Sequence, residues 1–467
     1  MKIIRLKRKG RYMSKKDNYT GKELLLSALK HQEVPAVPWV PYAGVHAGLL
    51  KNYTAIEVLQ DADKLFESLM AVNEIYDPDG QPIVFDLQVE AEILGCDLRW
   101  ADNLPPTVMT HPLQGTDQVP DHVFTKDEGR IPIVLDVTRR MKEAVGDHTA
   151  LYGLITGPLT LASHLQGTEI YTFMVRKPER VHPLVNYCTE VAIQMAGFYL
   201  DAGVDVVGIV DPVISQISPK HFNAFFGEPY TRMFDYIREK GALSSFFVCG
   251  DATKNIEAMC ETGPDSIAVD ENVSMHAAKE ITDRYNITLG GNIPLSTEML
   301  MGTQQSNMKW VVDFLDSIDH HNLILAPGCD MPYDTPIENT VAVLQAVRDL
   351  DSSRKMIANY EAPEIDTSSV VVPDYENLSK PLIEVFTLDS DTCAACTYML
   401  SSAKDAAADL PGQVDLVEYK FTTPENVARV HRMGVKNLPS IYLNGELKYS
   451  SIIPDHDELV AEIKKLI

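Results

Sequence analysis

Eight short apolar segments rich in β-branched residues recur along the first three-quarters of the chain, and segments with helical periodicity separate them. This alternation is typical of repeated βα units, in which crossover helices join parallel strands. We predict that the strands close into a (β/α)8 TIM-type barrel. An open doubly wound sheet is the alternative, but no glycine-rich phosphate-binding turn follows the first strand. The predicted strands are residues 35–41, 82–90, 150–156, 204–210, 244–249, 265–270, 287–291 and 322–327.

The sequence changes character after the eighth predicted strand. Residues 353–380 are polar and contain two prolines, which predicts a linker. A strand, a C-x-x-C motif and a helix follow, and the motif consists of Cys393 and Cys396. This pattern resembles the thioredoxin fold, and Pro439 matches the cis-proline that such proteins place before a strand opposite the motif. The resemblance implies that Cys393 is the attacking thiolate and Cys396 the resolving thiol.

We therefore predict four parts of the chain. They are a basic extension (1–18), an α/β barrel (19–352), a linker (353–380) and a thioredoxin-like α/β domain (381–467). Half of the first sixteen residues are Lys or Arg. The extension is either an interaction tail or a dispensable addition before a more typical start at Met13.

Charge and hydropathy exclude several classes of partner. The chain has 41 Lys and Arg against 66 Asp and Glu, for a formal net charge of −25, which disfavours nucleic acid and anionic membranes. No apolar run approaches the roughly eighteen residues of a membrane span, and no signal peptide is recognisable. We expect a cytoplasmic protein. Its seven cysteines are too few for a disulfide scaffold, so each is a small buried side chain, a metal ligand or a redox thiol.

Polar residues concentrate at the predicted carboxyl ends of the strands, where barrel proteins carry out their chemistry. Cys249 ends the fifth strand and Cys329 follows the eighth, each beside a glycine. Barrel closure would bring both thiols to one mouth, as part of a zinc site of three or four ligands. The alternative is that each is a small buried side chain. The other polar residues at these ends are Asp86, Glu90, Glu92, Thr156, His164, Asp211, Asp270 and Asn292.

Six segments in order resemble the successive motifs of the uroporphyrinogen decarboxylase superfamily, over roughly residues 20–350. They are residues 85–97, 155–167, 210–226, 247–257, 290–303 and 324–343. The decarboxylases use arginines near the first strand, an aspartate on the second, a tyrosine on the third and a histidine on the last. This chain keeps the aspartate as Asp86, but has no arginine in the first-strand segment and has His164 and Cys329 at the last two positions. Porphyrinogen decarboxylation is therefore disfavoured.

The zinc-dependent methyltransferases of this superfamily, including methylcobamide:coenzyme M methyltransferases, are a better match. They carry His-x-Cys-Gly on strand five and Gly-Cys after strand eight. Cys249-Gly250 and Gly328-Cys329 fit these motifs, whereas Phe247 stands at the histidine position. Two cysteines are too few for a catalytic zinc ion, so a third ligand is needed.

The third zinc ligand is left open by the sequence. Glu90 is the first choice, because an acidic residue in its segment resembles the pattern of the methyltransferases. His164 and Asp211 are alternatives, although a buried histidine is more often a packing or substrate contact. A salt-bridged strand end is the competing interpretation for Glu90 and Glu92.

The resemblance implies a corrinoid-linked methyltransferase of anaerobic one-carbon metabolism. It would move a methyl group between a thiol or methyl-ether substrate and either free cobalamin or a corrinoid protein. The chain lacks the corrinoid-binding motif D-x-H-x-x-G, so a corrinoid protein would be a separate partner. Asp86 and Asp211 would orient substrate or transfer protons, His164 would contact substrate, and Asn292 would bind substrate or corrinoid. Two alternatives compete: a thiol–disulfide redox protein with a noncatalytic barrel, and a uroporphyrinogen decarboxylase-like lyase.

Overall fold

The computed structural model describes residues 19–361, 366–368, 370–391 and 394–467. The predicted basic extension lies outside the described residues. The strands are β1 Gly80–Pro82, β2 Leu98–Arg99, β3 Thr107–Val108, β4 Ala150–Thr156, β5 Val206–Val210, β6 Leu243–Val248, β7 Ser266–Val269, β8 Thr288–Ile293, β9 Leu323–Pro327, β10 Leu382–Thr387, β11 Asp415–Lys420, β12 Ser440–Leu443 and β13 Glu446–Ser450. Within these ranges they form a seven-stranded parallel sheet (the barrel sheet, order β1-β4-β5-β6-β7-β8-β9), a four-stranded sheet (the C-terminal sheet, order β11-β10-β12-β13) and the β2–β3 hairpin.

Helices follow most strands of the barrel sheet, as the βα pattern predicts. The helices are α1 Gly21–Leu29, α2 His46–Leu49, α3 Ala55–Gln60, α4 Ala62–Tyr76, α5 Val89–Ile93, α6 Ile131–Val145, α7 Pro158–Gln166, α8 Glu169–Arg176, α9 Pro178–Ala202, α10 Pro219–Phe225, α11 Gly227–Glu239, α12 Ile256–Glu261, α13 Met275–Arg284, α14 Gln304–Ser317, α15 Ile337–Arg348, α16 Leu350–Met356, α17 Ala394–Ala408, α18 Pro424–Met433 and α19 His456–Lys464. Across the described ranges, none of them combines the length and apolarity that crossing a bilayer requires.

A short extended segment connects the two edges of the barrel sheet. Trp39 pairs with Leu325 of β9 through a parallel bridge. The Val40 amide donates to the Leu325 carbonyl (3.0 Å), and on the other side the Asp79 amide, next to β1, donates to the Trp39 carbonyl (2.9 Å). The curled parallel sheet is therefore compatible with the predicted TIM-type barrel.

Two of the eight predicted strands have wrong boundaries, and backbone chemistry explains both. The segment 35–41 contains three prolines, which cannot donate to a ladder, so only the bridge at Trp39 forms. The predicted strand 82–90 is wrong beyond Pro82. The Asp86 carboxylate accepts from the Gln88 amide (2.8 Å), which makes a local turn, and α5 begins at Val89. The other six predicted strands overlap β4 to β9.

Alternate residues of the barrel sheet form an interior core distinct from the layer between sheet and helices. Tyr152 and Leu154 of β4 belong to this interior cluster, as do Ile324 and Ala326 of β9. This two-residue period is what strands with two buried faces require. Phe247 of β6 also belongs to the interior cluster, so its side chain and that of Cys249, two residues later, share the inner face.

The C-terminal sheet is mixed and packs against the barrel. β10 pairs in parallel with β11 and antiparallel with β12, and β12 pairs antiparallel with β13. α17 follows β10 and packs against the 3-10 turn Pro212–Gln216 after β5. The Leu438–Pro439 peptide bond before β12 is cis. The predicted linker is partly helical, since α16 extends into it, and residues 362–365 and 369 of this segment lie outside the described residues.

Candidate active site

Cys249 and Cys329 meet at the carboxyl end of the barrel sheet. Cys249 directly follows β6 and Cys329 lies two residues after β9. The two residues form a disulfide with a Cα–Cα distance of 5.9 Å. The expected convergence of these cysteines therefore occurs, as a disulfide. In the part of the chain that the structure describes, no three His, Cys, Asp or Glu side chains form a group that could hold a metal ion.

The disulfide lines a cavity of about 420 Å³ between the barrel sheet and the C-terminal sheet. Barrel residues supply most of the apolar lining together with polar side chains such as Gln88, Asn103 and Ser296, and the C-terminal side of the cavity is mostly polar. The apolar wall includes Phe85, Leu87, Leu295, Leu300 and Met331, and the C-terminal side consists of Leu388, Asp389, Asp391, Lys420 and Thr422. A concave site that combines apolar walls with convergent polar groups is typical of small-molecule binding. We call it the mouth cavity.

Phe247, at the position of the expected histidine, packs in the barrel interior beneath the disulfide. It is 1% exposed, and its ring centroid lies 4.8 Å from that of Tyr42 and 5.8 Å from that of Phe85. Aromatic contacts of this kind stabilise a core but offer no metal ligand. The local packing thus fits phenylalanine and not a ligating imidazole.

Glu90, the first choice for a third ligand, is engaged in hydrogen bonds within the barrel. It is buried, and its carboxylate lies 2.8 Å from the Thr156 hydroxyl and accepts from the Thr156 amide at 3.3 Å. Burial raises the pKa of Glu90 above its usual value, although these hydrogen bonds act in the opposite direction. Glu90 does not line the mouth cavity.

Asp86 forms a buried ion pair with Arg130, a residue that the sequence patterns did not indicate. The Asp86 side chain is 0% exposed and that of Arg130 is 8% exposed. Arg130 also donates from Nε to Glu92 (2.8 Å), and its guanidinium lies 5.0 Å from the Trp100 ring centroid. Arg130 directly precedes α6. The pair lies outside the lining of the mouth cavity.

Asp211 holds the start of α7 and the Tyr230 side chain. Its carboxylate accepts from the amides of Leu159 and Thr160, both at 2.9 Å, and from the Thr160 hydroxyl at 2.6 Å. Tyr230 donates a further hydrogen bond to it. Burial raises the pKa of Asp211 to about 6 despite these donors. Because four donors occupy its oxygens, Asp211 positions α7.

Asn292 fixes the loop after β7. Its side-chain amide donates to the carbonyls of Asp270 and Val273, both at 2.8 Å. Asn292 is buried and does not line the mouth cavity. Asn292 lies near the carboxyl end of β8, but its hydrogen bonds hold the loop after β7.

His164 connects α7 to α17. It lies on α7, is buried, and its Nδ1 is 2.9 Å from the Tyr398 hydroxyl of α17. It lines a second cavity of about 240 Å³ together with His111, Arg99 and Lys404. Burial, with a smaller contribution from His111, lowers the pKa of His164 to about 3, so the imidazole is neutral at physiological pH.

The stability of the chain should therefore fall on acidification through His164. The unfolded imidazole has a pKa of about 6.5 and binds a proton first as the pH falls, so this contribution is present above that value and is lost towards pH 3. We expect a loss of about 2 kcal/mol between pH 7 and pH 5. A His164→Asn variant, whose amide can still bond Tyr398 and does not titrate, should lack this loss in urea unfolding. Equal pH dependence of both proteins would contradict the prediction.

Asp330 is a second residue that the sequence patterns missed. It directly follows Cys329 and lines the mouth cavity. Its Oδ1 is buried without a hydrogen-bond partner, and a Cβ at Gly44 would collide with that oxygen. Burial raises the pKa of Asp330 well above its usual range, and the charge of Asp86 acts in the same direction. A carboxyl group with a raised pKa thus lines the cavity beside the disulfide.

The predicted redox residues are only partly described. Cys393 lies outside the described residues. Cys396 is buried in a small apolar cluster with Phe386, Leu388 and Tyr442. Pro439 precedes β12, which pairs with β10. The roles of these residues in thiol chemistry stay predictions.

Comparisons with known proteins place residues 20–350 in a family described as "Uroporphyrinogen decarboxylase (URO-D)". The chain is 25% identical over 337 residues to the methylcobamide:CoM methyltransferase MtbA of Methanosarcina acetivorans (71% of this chain, 98% of the relative). It is 28% identical over 342 residues to the methylcobamide:CoM methyltransferase MtaA of Methanosarcina barkeri (70% and 97%). A solved structure of a methyltransferase from Methanosarcina mazei has a TM-score of 0.65 at 26% identity (71% and 99%).

Proposed function

The chain belongs to the uroporphyrinogen decarboxylase family, and on this premise we propose that it is a corrinoid-linked methyltransferase. It would move a methyl group between a thiol or methyl-ether substrate and free cobalamin or a partner corrinoid protein. Similarity to two methylcobamide:CoM methyltransferases supports the reaction class. The observation that carries the proposal is the mouth cavity, in which Cys249, Cys329 and Asp330 lie together at the carboxyl end of the barrel sheet.

Asp330 would accept or donate the proton that is transferred together with the methyl group. When a thiol accepts the methyl group, its proton must leave the sulfur; when a methyl ether gives up the methyl group, the oxygen must gain a proton. A carboxyl group with a raised pKa can serve either direction. The apolar wall of the mouth cavity would exclude water and hold the apolar part of the substrate. Asp211, Asn292 and His164 would act by positioning the elements that form this wall.

Zinc assistance is a prediction that the described residues do not fit. The sulfurs of Cys249 and Cys329 are bonded to each other, Phe247 replaces a ligand, and Glu90 is engaged with Thr156. A catalytic zinc ion needs about three protein ligands. We therefore derive no step through zinc.

The C-terminal domain, residues 381–467, would be a thioredoxin-like redox domain. The strand order β11-β10-β12-β13, with α17 after β10 and α18 after β11, supports this proposal together with the C-x-x-C motif. Burial of Cys396 in an apolar cluster suits a resolving thiol, which is reached only from within the protein.

Porphyrinogen decarboxylation is the less favoured activity of this family. Asp86, the one decarboxylase residue that the chain retains, has a fully buried side chain that is paired with Arg130. The mouth cavity contains neither residue in its lining, so this carboxylate has no route to a substrate there.

Methyl transfer is tested with methylcobalamin and a panel of small thiols and aryl methyl ethers, followed by the visible spectrum of the cobalamin. We expect the pre-reduced full chain to demethylate methylcobalamin with at least one thiol, or to methylate reduced cobalamin from at least one ether. Absence of turnover with every substrate, in the presence and absence of a corrinoid protein, would contradict the methyltransferase proposal.

A further inference from the structure

The charged side chains of the mouth cavity limit which substrates it can bind. Among the described residues, the charged groups in its lining are Asp330, Asp334, Asp389, Asp391 and Lys420. We propose that the mouth cavity selects an uncharged substrate, such as an apolar thiol or aryl methyl ether, in preference to anionic and cationic analogues. The inference narrows the substrate class of the proposed methyltransferase, so it rests on the proposed function of this site.

Lys420 is the one cation of this lining in the described part of the chain, and two carboxylates hold it. It ends β11, and its Nζ lies 2.8 Å from Oδ1 of Asp389 and forms a second ion pair with Asp391. The Lys420 side chain is 28% exposed, so water screens these pairs only in part. An anionic group on a substrate would have to compete with both carboxylates for this ammonium group.

Asp391 is balanced by a second cation, which lies outside the lining of the mouth cavity. One of its carboxylate oxygens pairs with Lys420 and the other with Arg99 of the β2–β3 hairpin. Burial raises the pKa of Asp391, but the two cations outweigh this effect and hold the pKa below its usual value. Asp389, Asp391 and the two cations thus form a network without net charge, which offers little attraction to an ion of either sign.

The barrel side of the cavity adds little fixed charge. Burial, with a smaller contribution from the charge of Asp86, raises the pKa of Asp330 well above its usual range and so favours its neutral form. Asp334 is exposed, and water weakens the attraction of an exposed carboxylate for a cation. A charged substrate would therefore lose hydration in this cavity without gaining a buried counter-ion.

The rest of the lining suits an uncharged molecule. Its apolar wall includes the rings of Phe85 and Tyr333, and the Tyr333 hydroxyl already donates to the Tyr53 carbonyl (2.8 Å). Burial of apolar substrate surface against this wall would supply most of the binding free energy. Uncharged polar side chains in the lining can hydrogen-bond a hydroxyl or ether oxygen without an ion pair; they are Gln88, Asn103, Ser296 and Thr422.

Isothermal titration calorimetry on the full chain tests the selection without any methyl transfer. The probes are methyl phenyl sulfide, 4-(methylthio)benzoate and 4-(methylthio)benzylammonium, which share an aryl methyl sulfide and differ in charge. We expect the neutral probe to bind at least about tenfold more tightly than either charged probe, because only the charged probes lose hydration without gaining a counter-ion.

Asp391→Asn should shift the selection toward anions. The variant leaves Lys420 and Arg99 in excess, so we expect the anionic probe to bind about tenfold more tightly than to the wild type and the neutral probe to change by less than about threefold. The control is Asp415→Asn, since Asp415 begins the same strand as Lys420, is 61% exposed and lies outside the lining. Urea unfolding checks that each variant is folded, and Asp389→Asn, which also releases Lys420, is the second test variant.

A charged probe whose affinity comes within tenfold of that of the neutral probe, or no binding of any probe, would overturn the proposal. An anionic probe that binds folded Asp391→Asn no better than the wild type would also overturn it. Because calorimetry involves no corrinoid, selective binding without demethylation of methylcobalamin would contradict only the methyltransferase proposal. Conversely, methyl transfer together with tighter binding of a charged probe would contradict only the selection.

Discussion

Replacing Arg130 with methionine is expected to lower the free energy of unfolding by about 3–5 kcal/mol, because it leaves the Asp86 carboxylate buried without its cation. The Asp86 side chain is 0% exposed, and besides Arg130 its carboxylate accepts a hydrogen bond from the Gln88 amide. Urea unfolding of the full chain, followed by far-ultraviolet circular dichroism, gives the change. Methionine keeps the unbranched apolar stem of the side chain, so the decrease in the free energy of unfolding comes mainly from removal of the charge.

Arg140→Met is the matched control for this prediction. Arg140 lies on α6, the helix that Arg130 directly precedes, and also pairs with two carboxylates, Asp63 at 2.8 Å and Asp136 at 3.4 Å, but all three side chains are partly or largely exposed. Exposed ion pairs contribute little, so this variant should unfold nearly as the wild type does. The double variant Asp86→Asn/Arg130→Met should lose less than the sum of the single variants. Equal losses for Arg130→Met and Arg140→Met would show that the buried pair is not a stability determinant.

The strands that were predicted correctly are those in which the β-strand propensity of the residues agrees with their burial in the fold. β4 to β9 combine β-branched residues with burial on both faces, so their apolar runs mark them directly. The first two predicted strands, 35–41 and 82–90, differ from the observed structure. Prolines remove hydrogen-bond donors from the first, and Asp86 makes a turn in the second. The effect of that turn extends to Glu90, which lies on α5 instead of a strand end.

The candidate site was predictable where topology alone determines it. Cys249 and Cys329 converge because parallel strands end at one edge of a curled sheet. Arg130 was not predictable, since it lies 44 residues from Asp86, in the turn before α6, and no motif connects the two. The burial of Asp330 depends on Gly44, whose missing side chain leaves room for the carboxyl group, and a single sequence does not reveal such a contact.

Asp330→Asn is expected to lower kcat of methyl transfer by about 100-fold or more, within the range that a positioned acid or base contributes. Asparagine matches the size of the protonated carboxyl group but cannot give up or take the proton. With a thiol substrate, the wild-type rate should rise with pH through the raised pKa of Asp330, because the ionised form accepts the proton. With a methyl ether, the rate should fall through the same pKa, because the acid form donates it. The variant should lack both pH dependences.

Asp334→Asn provides the matched control for Asp330, since Asp334 lines the same cavity but is exposed at its rim. We expect this variant to keep a kcat and a pH profile close to those of the wild type. A structural role for Asp330 would lower the unfolding midpoint of Asp330→Asn and leave the pH profile of its residual activity unchanged. A proton-transfer role would instead remove the titration while the unfolding midpoint stays near that of the wild type, because burial already favours the neutral form at this position. The pH profile thus separates the two roles, and an Asp330→Asn enzyme with full activity would exclude the proton-transfer role.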